Sequence, residues 1–202
     1  MSLGYNRTIG AFVQHYGSEE LDASVLIMPL VFLVLSTERC MLSTLDQIRE
    51  RLVSDSLVRR YRNGNAAPDG LQGQEGTLNL CTFWLVEALT RAGHLSETRL
   101  LFEKMLSYAN HLGFYAEELS LAGDRLGNFP QAITHMGFIS AAYNLNMALE
   151  KRIEIGWGGT EMPHVCRTPK AMQRPVPIHL ACDQGEMAPS TELRRGKEQA
   201  HA

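Results

Sequence analysis

Long apolar runs are scarce in this chain of 202 residues. The longest, Val25–Leu35, spans about 11 residues and contains Pro29, well short of the roughly 20 that a membrane-spanning helix needs. It reads as a buried, kinked core helix. The N-terminal stretch MSLGYNRTIG has no basic segment leading into an apolar one, so a cleaved secretory leader is not expected. Basic charge is not in excess either: 19 Lys and Arg against 22 Asp and Glu leave a net charge of -3. Without a positive footprint, neither a nucleic acid nor an anionic membrane is an expected partner. Cysteine is sparse and scattered, with Cys40, Cys81, Cys166 and Cys182 forming no CxxC pair. No Cys/His cluster has ligand spacing, so neither a metal nor a cofactor is expected. Cys40 and Cys81 fall in helical patterns, where buried reduced thiols fit a cytoplasmic compartment.

The chain does have helical periodicity and enough apolar content, 45%, for a sizeable core. Gly4–Tyr16 reads as a loop or short extended segment, and Leu21–Leu35 as helix. Ser36-Thr37 reads as the cap of a helix over about Met41–Leu52, whose Leu42, Leu45, Ile48 and Leu52 make an amphipathic stripe. Leu57–Arg62 alternates weakly, as a short strand would. Asn63–Gly76, with four glycines and a proline, reads as a loop. Thr77–Ala92 reads as a helix with Leu78, Cys81, Leu85, Ala88 and Leu89 on one broad face, stopped by Gly93. Ser96 reads as the cap of a helix running to about Tyr108, with Glu97 in its first turn. A further helix is expected from near Pro130 to about Glu150. Gly156–Ala202 holds five of the eight prolines and shows no periodicity, so residues 156–202 read as a poorly ordered tail behind a domain of residues 1–155. The expected class is all-α, built of antiparallel helix hairpins with almost no strand.

The chemistry concentrates in Leu112–His135, LGFYAEELSLAGDRLGNFPQAITH. Glu117 and Glu118 follow the aromatic pair Phe114-Tyr115 on a long inter-helix connection. A carboxylate beside flat apolar rings suits the cleavage of sugars, which needs an acid or base and a face for a pyranose ring. Other residues carry two readings each. Glu75 either contacts sugar hydroxyls or sits in the first turn of a helix, at its positive end. Arg60 and Arg62 share one face if their segment is extended, lining a sugar site or a solvated edge. His135 either points into the site or is a hydrogen-bonded packing histidine. Trp84 reads as core rather than a stacking platform.

Five segments in order resemble glycoside hydrolase family 15, the glucoamylase, glucodextranase and trehalase group. They are GAFVQHYGSEELDAS (Gly10–Ser24), LVRRYR (Leu57–Arg62), DGLQGQEGTLNLCTFWLVEAL (Asp69–Leu89), LGFYAEE (Leu112–Glu118) and LGNFPQAITH (Leu126–His135). The resemblance covers about Gly4–Leu149 and implies the C-terminal part of an (α/α)6 toroid, about five of its twelve helices. It also implies inversion at the anomeric carbon of an α-linked glucose oligosaccharide or trehalose. Two carboxylic acids about 6.5–9.5 Å apart do this. Glu117 matches the family's general base, with Glu118, Glu75, Arg60, Arg62 and His135 as supporting or substrate-binding candidates. The family's general acid lies upstream, in a Trp/Glu/Arg-rich segment with no counterpart here, so the isolated chain is expected to be inactive. Apolar surface left bare by the missing helices would favour self-association. The competing reading is a tetratricopeptide-like binding scaffold, from the hairpin pattern of Ala88–Leu106. It lacks the copies about every 34 residues that such a scaffold needs.

Overall fold

The computed structural model describes residues 4–62 and 76–156. Glu75, nearly all of the expected Asn63–Gly76 loop and the expected tail beyond residue 156 lie outside the described residues. The helices are α1 (Ile27–Leu30), α2 (Arg39–Arg51), α3 (Asn79–Ala92), α4 (Leu95–Leu106) and α5 (Ala132–Gly156). None of the described helices is long and apolar enough to cross a membrane.

α3 is the helix around which the others are arranged. Ten of its 14 residues are buried, so it is enclosed on all sides rather than amphipathic. The stripe of Cys81, Leu85, Ala88 and Leu89 packs with Met41, Leu45 and Ile48 of α2 and with Leu21 and Leu26. Trp84, half-buried, packs against the same core. On its other side, Phe83 and Val86 form a second core with Met105, Tyr115, Leu119 and Ala141. The expected stripe therefore covers one of two buried faces. α5 lies along α3, and Gly137 permits the approach, since a Cβ there would stand 2.7 Å from the Leu80 side chain. The buried Glu87 carboxylate fastens the pair. It accepts from Arg91 Nη2 at 2.7 Å, Ser140 Oγ at 2.6 Å and Asn144 Nδ2 at 3.1 Å. Buried charge is tolerated when partners surround it in this way.

Seven two-residue strands stand where almost none was expected. β1 (Tyr5–Asn6) pairs with β2 (Ala11–Phe12), and β3 (Val53–Ser54) with β4 (Leu57–Val58). The β3–β4 turn, Asp55-Ser56, has both residues at positive φ, the tight hairpin geometry that matches strand twist. Helix threonines dock these hairpins: Phe12 N–H donates to Thr44 Oγ1 at 3.0 Å, and Val58 N–H to Thr82 Oγ1 at 3.0 Å. β5 (Thr77–Leu78), β6 (Glu118–Leu119) and β7 (Arg125–Leu126) form an antiparallel three-stranded sheet. The expected inter-helix loop thus contains two strands of a sheet.

Other boundaries differ for local reasons. The expected Leu21–Leu35 helix is a 3-10 turn (Ala23–Leu26) followed by the single turn of α1. Phe32 adopts φ +60, and Leu33 N–H closes onto Met28 O at 2.9 Å, a left-handed stop usually built with glycine. Val31, at 60% exposure, is consequently outside the core. Ser36 does not cap α2: Glu38 occupies that position, and Ser36 Oγ donates to Arg91 O at 2.8 Å. His94, not Ser96, stands at the start of α4. Gly93 ends α3 at φ +90 as expected. α5 begins two residues after Pro130 and runs past Glu150 to Gly156.

Candidate active site

Glu117 sits immediately before β6, on a segment whose backbone is held from three directions. Tyr115 N–H donates to His135 Nε2 at 3.3 Å, and Tyr115 O accepts from Gln131 N–H at 3.0 Å. Ala116 O accepts from Asn79 Nδ2 at 2.9 Å. Glu117 N–H donates to Asn128 O at 2.9 Å, and Glu117 O accepts from Asn79 N–H at 3.0 Å. The first residue of α3, the turn before α5 and the first turn of α5 therefore converge on three consecutive residues. Pairing of five of these backbone groups fixes a connection that would otherwise be free to move.

The side chain is fixed at one end only. Glu117 Oε2 accepts from Asn128 N–H at 3.0 Å and from Asn128 Nδ2 at 2.8 Å. Among the described residues Oε1 has no hydrogen-bond partner. A half-buried carboxylate with one oxygen anchored and the other open can take a proton from a molecule placed against it. Gly127 makes room for this. It has φ +71, and a Cβ there would lie 2.8 Å from Glu117 Oε2 and 2.9 Å from Glu117 Cβ. Gly127→Ala is expected to lower stability by about 1–3 kcal/mol, read as a lower urea midpoint. Gly113→Ala is the control: φ is +81, but a Cβ would meet nothing within 4 Å. Its cost should be strain alone, so equal losses would show that the Glu117 contact contributes nothing.

Glu118 plays a different part. Its Oε2 accepts from Gly76 N–H at 3.0 Å, which ties the start of β5 to β6. Consecutive residues on an extended segment point to opposite sides, so the two carboxylates do not share a task. Tyr115 is 1% exposed and belongs to the core, packed edge-on against Phe83 at 5.3 Å. It cannot offer its ring to a sugar, contrary to the aromatic-pair expectation. Burial pushes its phenol up to about 12, so the group stays neutral; its hydroxyl has no partner among the described residues. Phe114 and Phe129 are the exposed rings of this region, at 41% and 47%, and Arg125 lies over the Phe129 ring.

His135 is a hydrogen-bonded histidine, the second of its two readings, although it is bonded to the Glu117 segment itself. Arg60 and Arg62 take partners other than that segment among the described residues. Arg60 pairs with Asp22 at 3.7 Å, and Arg62 Nε donates to Arg51 O at 3.0 Å. Arg62 lines a polar cavity of about 230 Å3 with Glu19, Glu20 and Arg51. Among the described residues no three or more His, Cys, Asp or Glu gather as a metal site would. Asn128, Asn79, Gln131 and Gly127 were not singled out from sequence. The LGNFPQ run held the signal for two of them, as a glycine–asparagine turn before a helix.

Comparison with known proteins bears on this arrangement. The profile of "Glycosyl hydrolases family 15" matches residues 1–143. A trehalase of Thermoplasma volcanium is 41% identical over 151 residues, covering 74% of this chain and 24% of the relative. A trehalase of Mycobacterium tuberculosis is 42% identical over 143 residues, covering 70% of this chain and 21% of the relative. The chain thus spans about a quarter of the length of the curated relatives it matches. Among solved structures, one titled "Glycosidase Wild Type" superposes with a TM-score of 0.59 at 20% identity, over 72% of this chain and 41% of that one. A variant of that glycosidase in complex with glucose superposes equally well. At such identity the structural match shows a shared fold.

Proposed function

Because this chain belongs to glycosyl hydrolases family 15, we propose that it forms the base-bearing part of an inverting α-glucosidase of trehalase type. Glu117 is the general base. It takes a proton on Oε1 from a water attacking the anomeric carbon, while a carboxylic acid on the opposite side of the ring protonates the leaving oxygen. The observation that carries this reading is the one-ended anchoring of Glu117 by Asn128. Glu118 supports the segment through Gly76. The described helices form part of an (α/α)6 toroid whose remaining helices, with the general acid, come from polypeptide outside these 202 residues.

The outer side of α5 supports that placement. Ile133, Met136, Ile139 and Tyr143, each more than half exposed, recur at helical spacing as one bare apolar stripe. Polypeptide corresponding to the unmatched length of the relatives would cover it. Uncovered, the stripe favours self-association. The scaffold reading rests on the α3–α4 hairpin alone, and neither the family profile nor the relatives favour it.

The test replaces the matching segment of the Thermoplasma volcanium trehalase with residues 1–151 of this chain. The chimera is expected to hydrolyse trehalose and to release one β-glucose and one α-glucose per turnover, resolved by proton NMR. Two α-glucose products would overturn the inverting assignment, and a folded but inert chimera would overturn the trehalase reading. The purified 202-residue chain is expected to release no glucose from trehalose or maltose. Release abolished by Glu117→Gln would overturn the external origin of the acid.

A further inference from the structure

His135 accepts and donates at opposite ends of its ring, and the accepting end determines the protonation state. Tyr115 N–H is a backbone donor with no alternative role, so the Nε2 it meets at 3.3 Å must be unprotonated. The neutral ring then carries its proton on Nδ1, which faces Gln131 O at 2.7 Å and donates to it. The tautomer follows from the two partners. A second proton would turn Nε2 into a donor aimed at another donor.

We propose that His135 is a positioning residue for Glu117: its neutral Nδ1–H form latches the backbone of Tyr115, two residues before the base, and protonation of the ring opens the latch. The proposal rests on the reading of Glu117 as the base, but the latch itself is measurable without any substrate. Protonation leaves Tyr115 N–H without its acceptor in a segment where Tyr115 is buried. The strain falls on Tyr115, Ala116 and Glu117, whose remaining ties run to Gln131, Asn79 and Asn128.

The charged groups around the ring are engaged elsewhere. Residues 131–139 of the α5 region carry no charged side chain. The rings packed edge-on against His135 are Phe114 at 5.9 Å and Tyr115 at 5.7 Å. The charged groups on neighbouring elements have partners of their own. Glu117 is bonded by Asn128, Glu118 by Gly76, and Asp124 by Ser120. On α3, Glu87 pairs with Arg91; on α4, Arg99 pairs with Glu103 and Lys104 with Asp55. Arg125 of β7 lies over Phe129.

The experiment uses the full chain labelled with 15N. Ring nitrogen shifts at alkaline pH should report the Nδ1–H tautomer for His135. On lowering the pH from about 8 to 5, exchange of the Tyr115 amide, divided by its intrinsic rate at each pH, should rise by about tenfold as the ring protonates. That increase is the loss of one hydrogen bond. Ile48, in α2 and buried in the other core, provides the reference amide. His135→Gln keeps an acceptor oxygen but has no titrating ring, so protection should persist with no dependence on pH. His135→Phe should leave the amide unprotected throughout. An Nε2–H tautomer, or Tyr115 exchange that ignores ring protonation in the unsubstituted chain, would overturn the latch. Should His135→Phe not fold, the unsubstituted chain and His135→Gln decide it. A latch that behaves as described in a chain whose trehalase chimera is folded but inert would overturn the proposed function and leave the latch standing.

Discussion

Glu117→Gln in the trehalase chimera is expected to lower kcat by about 10²- to 10⁴-fold, the usual contribution of a positioned general base. KM should change little. Glutamine has the shape of glutamate, and its Oε1 can still accept from Asn128 N–H and Asn128 Nδ2 in place of the carboxylate Oε2. What it cannot do is take a proton from water. Glu117→Ala should be as slow, but with space left beside the anomeric carbon. Added azide, a nucleophile that needs no base, should then restore turnover as a glycosyl azide of inverted configuration. Glu118→Gln is the internal comparison. Its bond to Gly76 N–H survives through the amide oxygen, so kcat should fall by less than about tenfold. Equal losses at the two positions would sink the division of roles between them.

Phe83→Ala should be the most destabilising truncation in the second core, at about 3–5 kcal/mol. Phe83 has no exposed surface. Its ring meets Tyr115 at 5.3 Å, Phe138 at 5.6 Å and Phe102 at 6.4 Å, so deletion removes one partner from each of three rings. For a domain whose whole stability is about 5–15 kcal/mol, such a loss is a large part of the total. It should appear as a clear fall in the urea midpoint with the slope unchanged. Phe83→Leu, which refills most of the space, should cost about 1–2 kcal/mol. The alanine variant should also loosen Tyr115 and with it the Glu117 segment. An unfolding free energy within about 0.5 kcal/mol of the unsubstituted chain would mean that the ring cluster closes over the gap without loss.

How much of this was readable beforehand depends on whether the cause is local. α3 and its stop at Gly93 follow from periodicity and a single glycine, both contained in adjacent residues. The family was legible through the ordered motifs, which also drew attention to Glu117. The fate of Val25–Leu35 was not, because a run of apolar residues does not reveal that Phe32 will take a left-handed turn and leave Val31 in solvent. Strands of two residues have no period to detect. Asn79, Asn128 and His135 were invisible as a constellation for another reason. Their bonds to the Glu117 segment join residues 37, 11 and 20 positions apart, and nothing in the local spacing encodes such pairings. The same limit applies to Arg60 and Arg62: alternation does not reveal that Arg60 pairs with Asp22 or that Arg62 donates to Arg51 O.

Those separations also rank the grips on Glu117 by the chain entropy each consumes. Closing the loop from Asn79 to Ala116 costs about 1 kcal/mol more than closing the loop from Glu117 to Asn128, because closure entropy grows with the logarithm of length. The Asn128 grip, which alone reaches the side chain, is therefore the one with the least entropic opposition. If α3 were to pull away from the turn during a local opening, the carboxylate would still be oriented by Asn128, the grip closest to it in sequence. Orientation of the Glu117 carboxylate and the hold of α3 on its backbone are in this sense separable, and the first outlasts the second.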